Sequence, residues 1–243
     1  MKKDGEIIHH HSGVAGFAEY AVLPKEALVR IGKHIPFEHA ALFGCGVVTG
    51  VGAVINTASA REEDSIAIVG LGGVGLSALL ASIAIGSKKT IAIDLSNEKL
   101  NLAHELGADH ILNPNDANFL ERVRDLTSGG ANIAIETAGS GRALKTAYDI
   151  TRRGGTTVAA GMPGPKVDIT LSHLSIAAEE RIIKGSYMGS CIAHRDIPKY
   201  LDMFQTGKLP VDRLLSRKIT FEDLNAAMDR LDDAKTVREV LIP

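Results

Sequence analysis

Tryptophan is absent from the 243 residues, and aromatic residues of all kinds make up only 4% of the chain. A core without large rings has to close through aliphatic side chains and near approach of backbones, and 25 glycines are available for the second. Cysteine is scarce too. Cys45 and Cys191 stand alone, which excludes a disulfide framework and, from cysteines only, a structural zinc site of three or four thiolates. A reducing, cytoplasmic compartment is expected. Neither sign of charge dominates: 27 Lys and Arg against 29 Asp and Glu leave a net charge of −2. With no basic run, neither nucleic acid nor an anionic membrane is expected as a partner, and small neutral or acidic ligands are favoured. Long hydrophobic runs are also missing. Leu76 to Ile85 is interrupted by Ser77 and Ser82 and is too short to span a bilayer, and Met1 to Glu6 leads into no apolar signal-peptide core. At 45% apolar and 23% charged residues, the composition is that of a globular chain able to bury one large domain or two small ones.

What is present is an alternation. Six short aliphatic runs, at 65–69, 90–93, 110–112, 131–135, 156–160 and 181–184, have the continuous apolar character of strands buried on both faces. Helix-compatible spacing separates them at 74–85, 97–106, 118–127 and 143–151, and a shorter helix is expected at 173–178. Strands joined by helical crossovers predict an α/β fold with a doubly wound, six-stranded parallel sheet of the Rossmann kind. Beyond it, 196–206 and 221–231 also read as helices.

Gly70-Leu71-Gly72-Gly73-Val74-Gly75 follows the first strand and opens into a helix. In a G-x-G-x-x-G turn, Gly70 permits the sharp bend, Gly72 lets a pyrophosphate approach the backbone, and Gly75 lets helix and strand pack closely. The phosphates then meet helix N-terminal amides. Asp94 ends the second strand, about 20 residues on from the last glycine, where a carboxylate can accept from both adenosine ribose hydroxyls and would repel a 2′-phosphate. NAD is therefore expected rather than NADP. The competing readings are a turn aspartate before a helix capped by Ser96 and an S-adenosylmethionine-binding turn, which does not need three glycines in this register.

Further motifs flank this turn. Phe17-Ala18-Glu19-Tyr20-Ala21-Val22, Cys45-Gly46-Val47-Val48-Thr49-Gly50, Asp94-Leu95-Ser96-Asn97-Glu98-Lys99, Gly185-Ser186-Tyr187-Met188-Gly189 and Thr236-Val237-Arg238-Glu239-Val240 occur in that order. Together with the glycine turn they resemble the zinc-dependent medium-chain alcohol dehydrogenases, nearly end to end. The resemblance implies that residues 1–45 are the tail of a GroES-like catalytic barrel, with 17–22 its closing segment. It makes 46–187 the NAD-binding domain and 188–243 the returning catalytic-domain segment, with 185–189 and 236–240 as strands. Most of the catalytic domain is then expected to be missing.

The resemblance also assigns roles. Thr49 would contact the nicotinamide end and Val74 the back of its ring; Ala160, Ser186 and Met188 would line the carboxamide pocket. Lys99 would stand beside the adenosine ribose and Arg238 against the pyrophosphate, with Gly70, Gly72, Gly73, Gly75 and Asp94 completing the cofactor site. Cys45 matches the third ligand of a Cys, His and Cys zinc site, whose other ligands and proton relay have no counterpart here. Ordinary alternatives are a solvated Lys99, an Arg238 ion pair with Glu239 or Asp233, and a buried apolar thiol at Cys45. His9, His10 and His11 form a solvated stretch more readily than a metal site, and His39 has no recognised ligand spacing from Cys45. Three functions follow: a zinc-type alcohol dehydrogenase passing hydride between an alcohol or aldehyde and NAD, an inactive NAD-binding module that forms dimers, or a zinc-independent reductase resembling the quinone reductases. A homodimer or homotetramer is expected, paired through the strand near 185–190.

Overall fold

The computed structural model describes residues 2–7, 14, 16–232 and 236–242. Near the N-terminus, β1 (Lys2–Lys3) and β2 (Glu6–Ile7) form a minimal antiparallel hairpin. Residues 17–22, the expected closing segment, carry no regular secondary structure, with Tyr20 90% and Val22 99% exposed. A short α1 (Phe37–Ala40) and a 3₁₀ turn lead to α2 (Gly46–Gly52), whose seven residues are all buried. α2 continues as a π turn over Ala53–Thr57.

The sheet follows in the expected alternation: β3 (Ser65–Val69), α3 (Gly73–Ala84), β4 (Lys89–Ile93), α4 (Asn97–Glu105), β5 (His110–Leu112), α5 (Phe119–Thr127), β6 (Ala131–Glu136), α6 (Gly141–Ile150), β7 (Thr151–Ala159), α7 (His173–Ala178) and β8 (Ile182–Gly185). Every pairing is parallel and the order is β5-β4-β3-β6-β7-β8. β3 is buried at all five positions, as a central strand covered on both faces must be. β7 starts five residues earlier than its apolar run, because Thr151 pairs with Ala131 before the register shifts around Arg152 to Gly155.

Two cores flank the sheet. Leu76, Leu79 and Leu80 of α3 pack with α2 and α4 on one face; Phe119 and Val123 of α5 pack with Ala147 and Ile150 of α6 on the other. Glycine sets the spacing between α2 and α3, since a Cβ at Gly50 would overlap the Val74 carbonyl. The returning segment contains α8 (Ala193–Gln205), β9 (Leu215–Ile219), α9 (Leu224–Asp229) and β10 (Arg238–Leu241), with β9 and β10 parallel.

Two further elements differ from the reading of the sequence. The expected strand at 185–190 stops at Gly185, and Met188–Ser190 is a 3₁₀ turn with left-handed φ at Met188, Gly189 and Ser190. A strand cannot run through three such residues. The helix expected at 221–231 is regular only over Leu224–Asp229, because Phe221 to Asp223 are taken up by the turn in which Asp223 accepts from Thr220. No single described helix is long and apolar enough to cross a membrane; a bent pair, Phe37–Gly44 with Gly46–Thr57, has the length and apolar composition only when taken together, and its second arm is mostly buried in the core.

Candidate active site

In the strand order, β3 and β6 are the neighbours whose outgoing connections run to opposite sides of the sheet, so their C-terminal ends part and leave a crevice. The glycine turn lies there. Gly70, at φ +95°, donates to the Ile93 carbonyl at 2.8 Å, and the Thr137 hydroxyl donates to the Gly70 carbonyl at 2.6 Å. A Cβ at Gly75 would overlap that same carbonyl, so the start of α3 sits against the strand end only because Gly75 has none. Gly72, by contrast, is exposed and has nothing within 4 Å of a built Cβ. It caps α3 without a side chain, so the first amides of a 12-residue helix face this open space.

Asp94 closes one side. Its Oδ2 accepts from Leu71 N–H at 2.7 Å and its Oδ1 from Ser96 N–H at 2.9 Å. Both oxygens are thereby oriented, and each keeps a lone pair for a further donor. Ser96 caps α4 as expected, accepting from Lys99 N–H at 3.4 Å. A cavity of about 240 Å³ runs from Asp94 past Gly70 and Lys99 to Ala138 and Arg142. A second, of about 340 Å³, shares Lys99 and reaches Gly72, Gly73 and Arg238; a third, of about 390 Å³, joins Arg238 to Cys45 and Gly46. Lys99 and Arg238 therefore link the three spaces.

Arg238 is not held in the ion pair considered for it. Glu239 binds Arg230 instead, at 2.9 and 3.0 Å, and Asp233 lies outside the described residues. Among the described residues the Arg238 guanidinium has no carboxylate partner, and it is stacked directly over Gly73 and Gly46, where a Cβ on either glycine would strike it. It is a half-buried cation at the positive end of α3, an arrangement that suits a polyanion.

Buried Thr49, which lines none of these three spaces, donates to the Cys45 carbonyl at 2.8 Å, with Met188 Sδ 3.8 Å from its hydroxyl. Val74 is half-buried on the first turn of α3. Ala160 N–H donates to the Glu136 carbonyl, and Ser186, buried, shares a 2.8 Å hydrogen bond with Thr57. Ser186 thus spends its hydroxyl on the π turn that follows α2.

Cys45 is exposed at the N-cap of α2. No group of three or more His, Cys, Asp and Glu among the described residues is arranged to hold a metal. The described donors around Cys45 therefore do not by themselves fit a zinc site. His39 packs edge-on against Phe204, with centroids 5.3 Å apart, and His9 to His11 lie outside the described residues.

Three participants escaped the sequence reading. Thr137 locks the glycine turn, Arg142 lines the Asp94 cavity, and Glu136 stands buried at the end of β6 with Oε1 accepting from Gly139 N–H at 2.6 Å. Burial pushes the Glu136 carboxyl up, against the lowering effect of backbone N–H donors. Their position at or just after the end of the strand that flanks the switch point was the available signal.

A family model described as zinc-binding dehydrogenase matches residues 73–206, more than half of the chain. S-(hydroxymethyl)glutathione dehydrogenase of Paracoccus denitrificans is 30% identical over 98% of this chain and 66% of its own length. Alcohol dehydrogenase-like 1 of Arabidopsis thaliana is 34% identical over 98% of this chain and 62% of its own. The crystal structure of benzyl alcohol dehydrogenase from Acinetobacter calcoaceticus superposes with a TM-score of 0.90 at 31% identity, covering 94% of this chain and 63% of that one. The chain thus spans a little under two thirds of the length of these relatives, and solved structures of the same fold carry NADP in one case and NADH in another. The chain belongs to the zinc-binding dehydrogenase family, the zinc-type medium-chain alcohol dehydrogenases.

Proposed function

We propose that the crevice at the ends of β3 and β6 binds NAD and that the chain serves hydride transfer between an alcohol or aldehyde and that cofactor. The observation that carries this reading is Arg238, a cation without an ion-pair partner among the described residues, stacked over Gly73 at the amide end of α3. Arg238 and those amides would hold the pyrophosphate, Asp94 would accept from the ribose hydroxyls with Lys99 beside it, and Gly72 leaves room for the approach. Thr49, Val74, Ala160, Ser186 and Met188 would form the nicotinamide end, with Gly70 and Gly75 shaping the turn beneath. When bound, NAD supplies a ring carbon that takes up or gives back hydride; the chain contributes orientation and a walled pocket. Among the described residues Cys45 has no co-ligands with which to hold zinc.

On this reading residues 46–187 are the cofactor domain, and 1–45 and 188–243 belong to the catalytic domain, in a cytoplasmic protein. Titration of the chain with NADH, followed by nicotinamide fluorescence, should saturate; no saturation would remove the cofactor assignment. A second reading, an NAD-binding module that pairs without catalysis, is favoured by the open edge of β8, where Ile182 is 46% and Ile183 40% exposed. Zinc content and primary-alcohol oxidation, measured beside the sedimentation mass, separate the two.

A further inference from the structure

An interlocked polar cluster lies outside the three spaces described above and includes Ser186, one of the residues proposed for the nicotinamide end. Asp196, 3% exposed, accepts from Ile192 N–H at 2.8 Å, from Asn56 Nδ2 at 3.2 Å and from the Arg195 guanidinium at 2.6 and 2.9 Å. Capping α8 requires only the first of these. Asn56, at the π turn after α2, is the joint: its amide nitrogen is 3.2 Å from Asp196, 3.1 Å from the fully buried Tyr200 hydroxyl and 3.2 Å from the Gly189 carbonyl. Thr57, next in sequence, holds Ser186 at 2.8 Å and Ser190 at 2.9 Å. Two stretches distant in sequence, the end of α2 and the run from the 186–190 turn into α8, therefore meet at two adjacent side chains.

The turn they grip is one that needs holding. Met188, Gly189 and Ser190 have φ of 50°, 66° and 50°, and two of the three carry a Cβ, which disfavours that region. Gly189 is pressed against α2 so closely that a Cβ would strike the Val48 carbonyl. Met188, the first residue of the turn, is the one that approaches Thr49.

We propose that Asn56 and Asp196 are positioning residues: through the Gly189 carbonyl they hold the left-handed turn in place, and so set Met188 against Thr49 at the nicotinamide end of the pocket. The proposal rests on the NAD reading above. It gives the buried carboxylate a use beyond stability, for which an apolar side chain of the same size would serve as well.

Two probes separate the proposal from that reading. ADP-ribose carries the adenosine, the pyrophosphate and the second ribose but no nicotinamide, whereas NADH carries all of them. For the unaltered chain, both should bind by calorimetry. For Asn56→Ala and Asp196→Asn, ADP-ribose affinity should stay within about twofold, while NADH binds about tenfold more weakly, the size of one misplaced contact, and its bound emission moves toward that of free NADH. Asn56 is only half-buried, so Asn56→Ala keeps the test alive if Asp196→Asn fails to fold. Unchanged NADH binding in a folded Asn56→Ala variant would overturn the proposal, as would an equal loss of both ligands. An unaltered chain that binds neither ligand would overturn the NAD reading and, with it, this proposal.

Discussion

Asp94 is oriented by the fold for the ribose-binding role proposed for it, because each of its oxygens is aimed by a backbone N–H, from Leu71 and from Ser96. Asp94→Asn keeps an acceptor for one amide but loses the charge that would repel a 2′-phosphate. Its preference for NADH over NADPH in a fluorescence titration should shrink by about tenfold or more; an unchanged ratio would remove Asp94 from the ribose site. Glu136 is tuned by burial instead. Its native carboxyl lies above the ordinary glutamate value, so its contribution to stability is complete below that value and is lost as the pH rises through the elevated native one. Glu136→Gln, which retains an acceptor for Gly139 N–H, should flatten the pH dependence of urea unfolding above the ordinary glutamate range and be the more stable form at the upper end. Asp196 is shifted in the opposite sense, its carboxyl held down to about 2 chiefly by the Arg195 guanidinium, with Ile192 N–H assisting and burial opposing. Its stabilising effect is present above the usual carboxylate value and is lost as the pH falls toward about 2.

Among the elements, α3 shows that glycines in one motif do different work. Gly75 stands against the Gly70 carbonyl and Gly72 against open space. Gly75→Ala should destabilise the chain by about 1–3 kcal/mol through overpacking, read as a lower urea midpoint. Gly72→Ala should leave stability within about 0.5 kcal/mol of the parent while weakening NADH, because its Cβ would enter the space assigned to pyrophosphate. Strands were the most legible elements, since a strand buried on both faces must be apolar throughout, as Ser65–Val69 and Lys89–Ile93 nearly are. The Met188–Ser190 turn was not legible. Nothing in the composition of Met-Gly-Ser forces left-handed φ at Met188 and Ser190; the grip of Asn56 and Thr57 from more than a hundred residues away does.

Across the whole molecule, ligand and fold are coupled by mass action. NADH at about 100 times its Kd should stabilise the native state by about 2.7 kcal/mol and raise Tm by several degrees. A thermal shift with NADH and none with free nicotinamide is the expected pattern; no shift with either would count against the crevice as the site. The alternation of strands and helices, the phosphate turn and the aspartate that ends the second strand could all be read from the chain before folding, because periodicity and glycine spacing are local properties. The family was legible in the same way, through motifs spread over nearly the whole chain. Three-dimensional packing was needed to set Arg238 over Gly73 rather than against a neighbouring carboxylate, to leave Cys45 without a ligand set among the described residues, and to bring Asn56 to Asp196. Those outcomes depend on which distant segments the sheet brings together, and no local pattern of residues encodes a partner more than a hundred positions away.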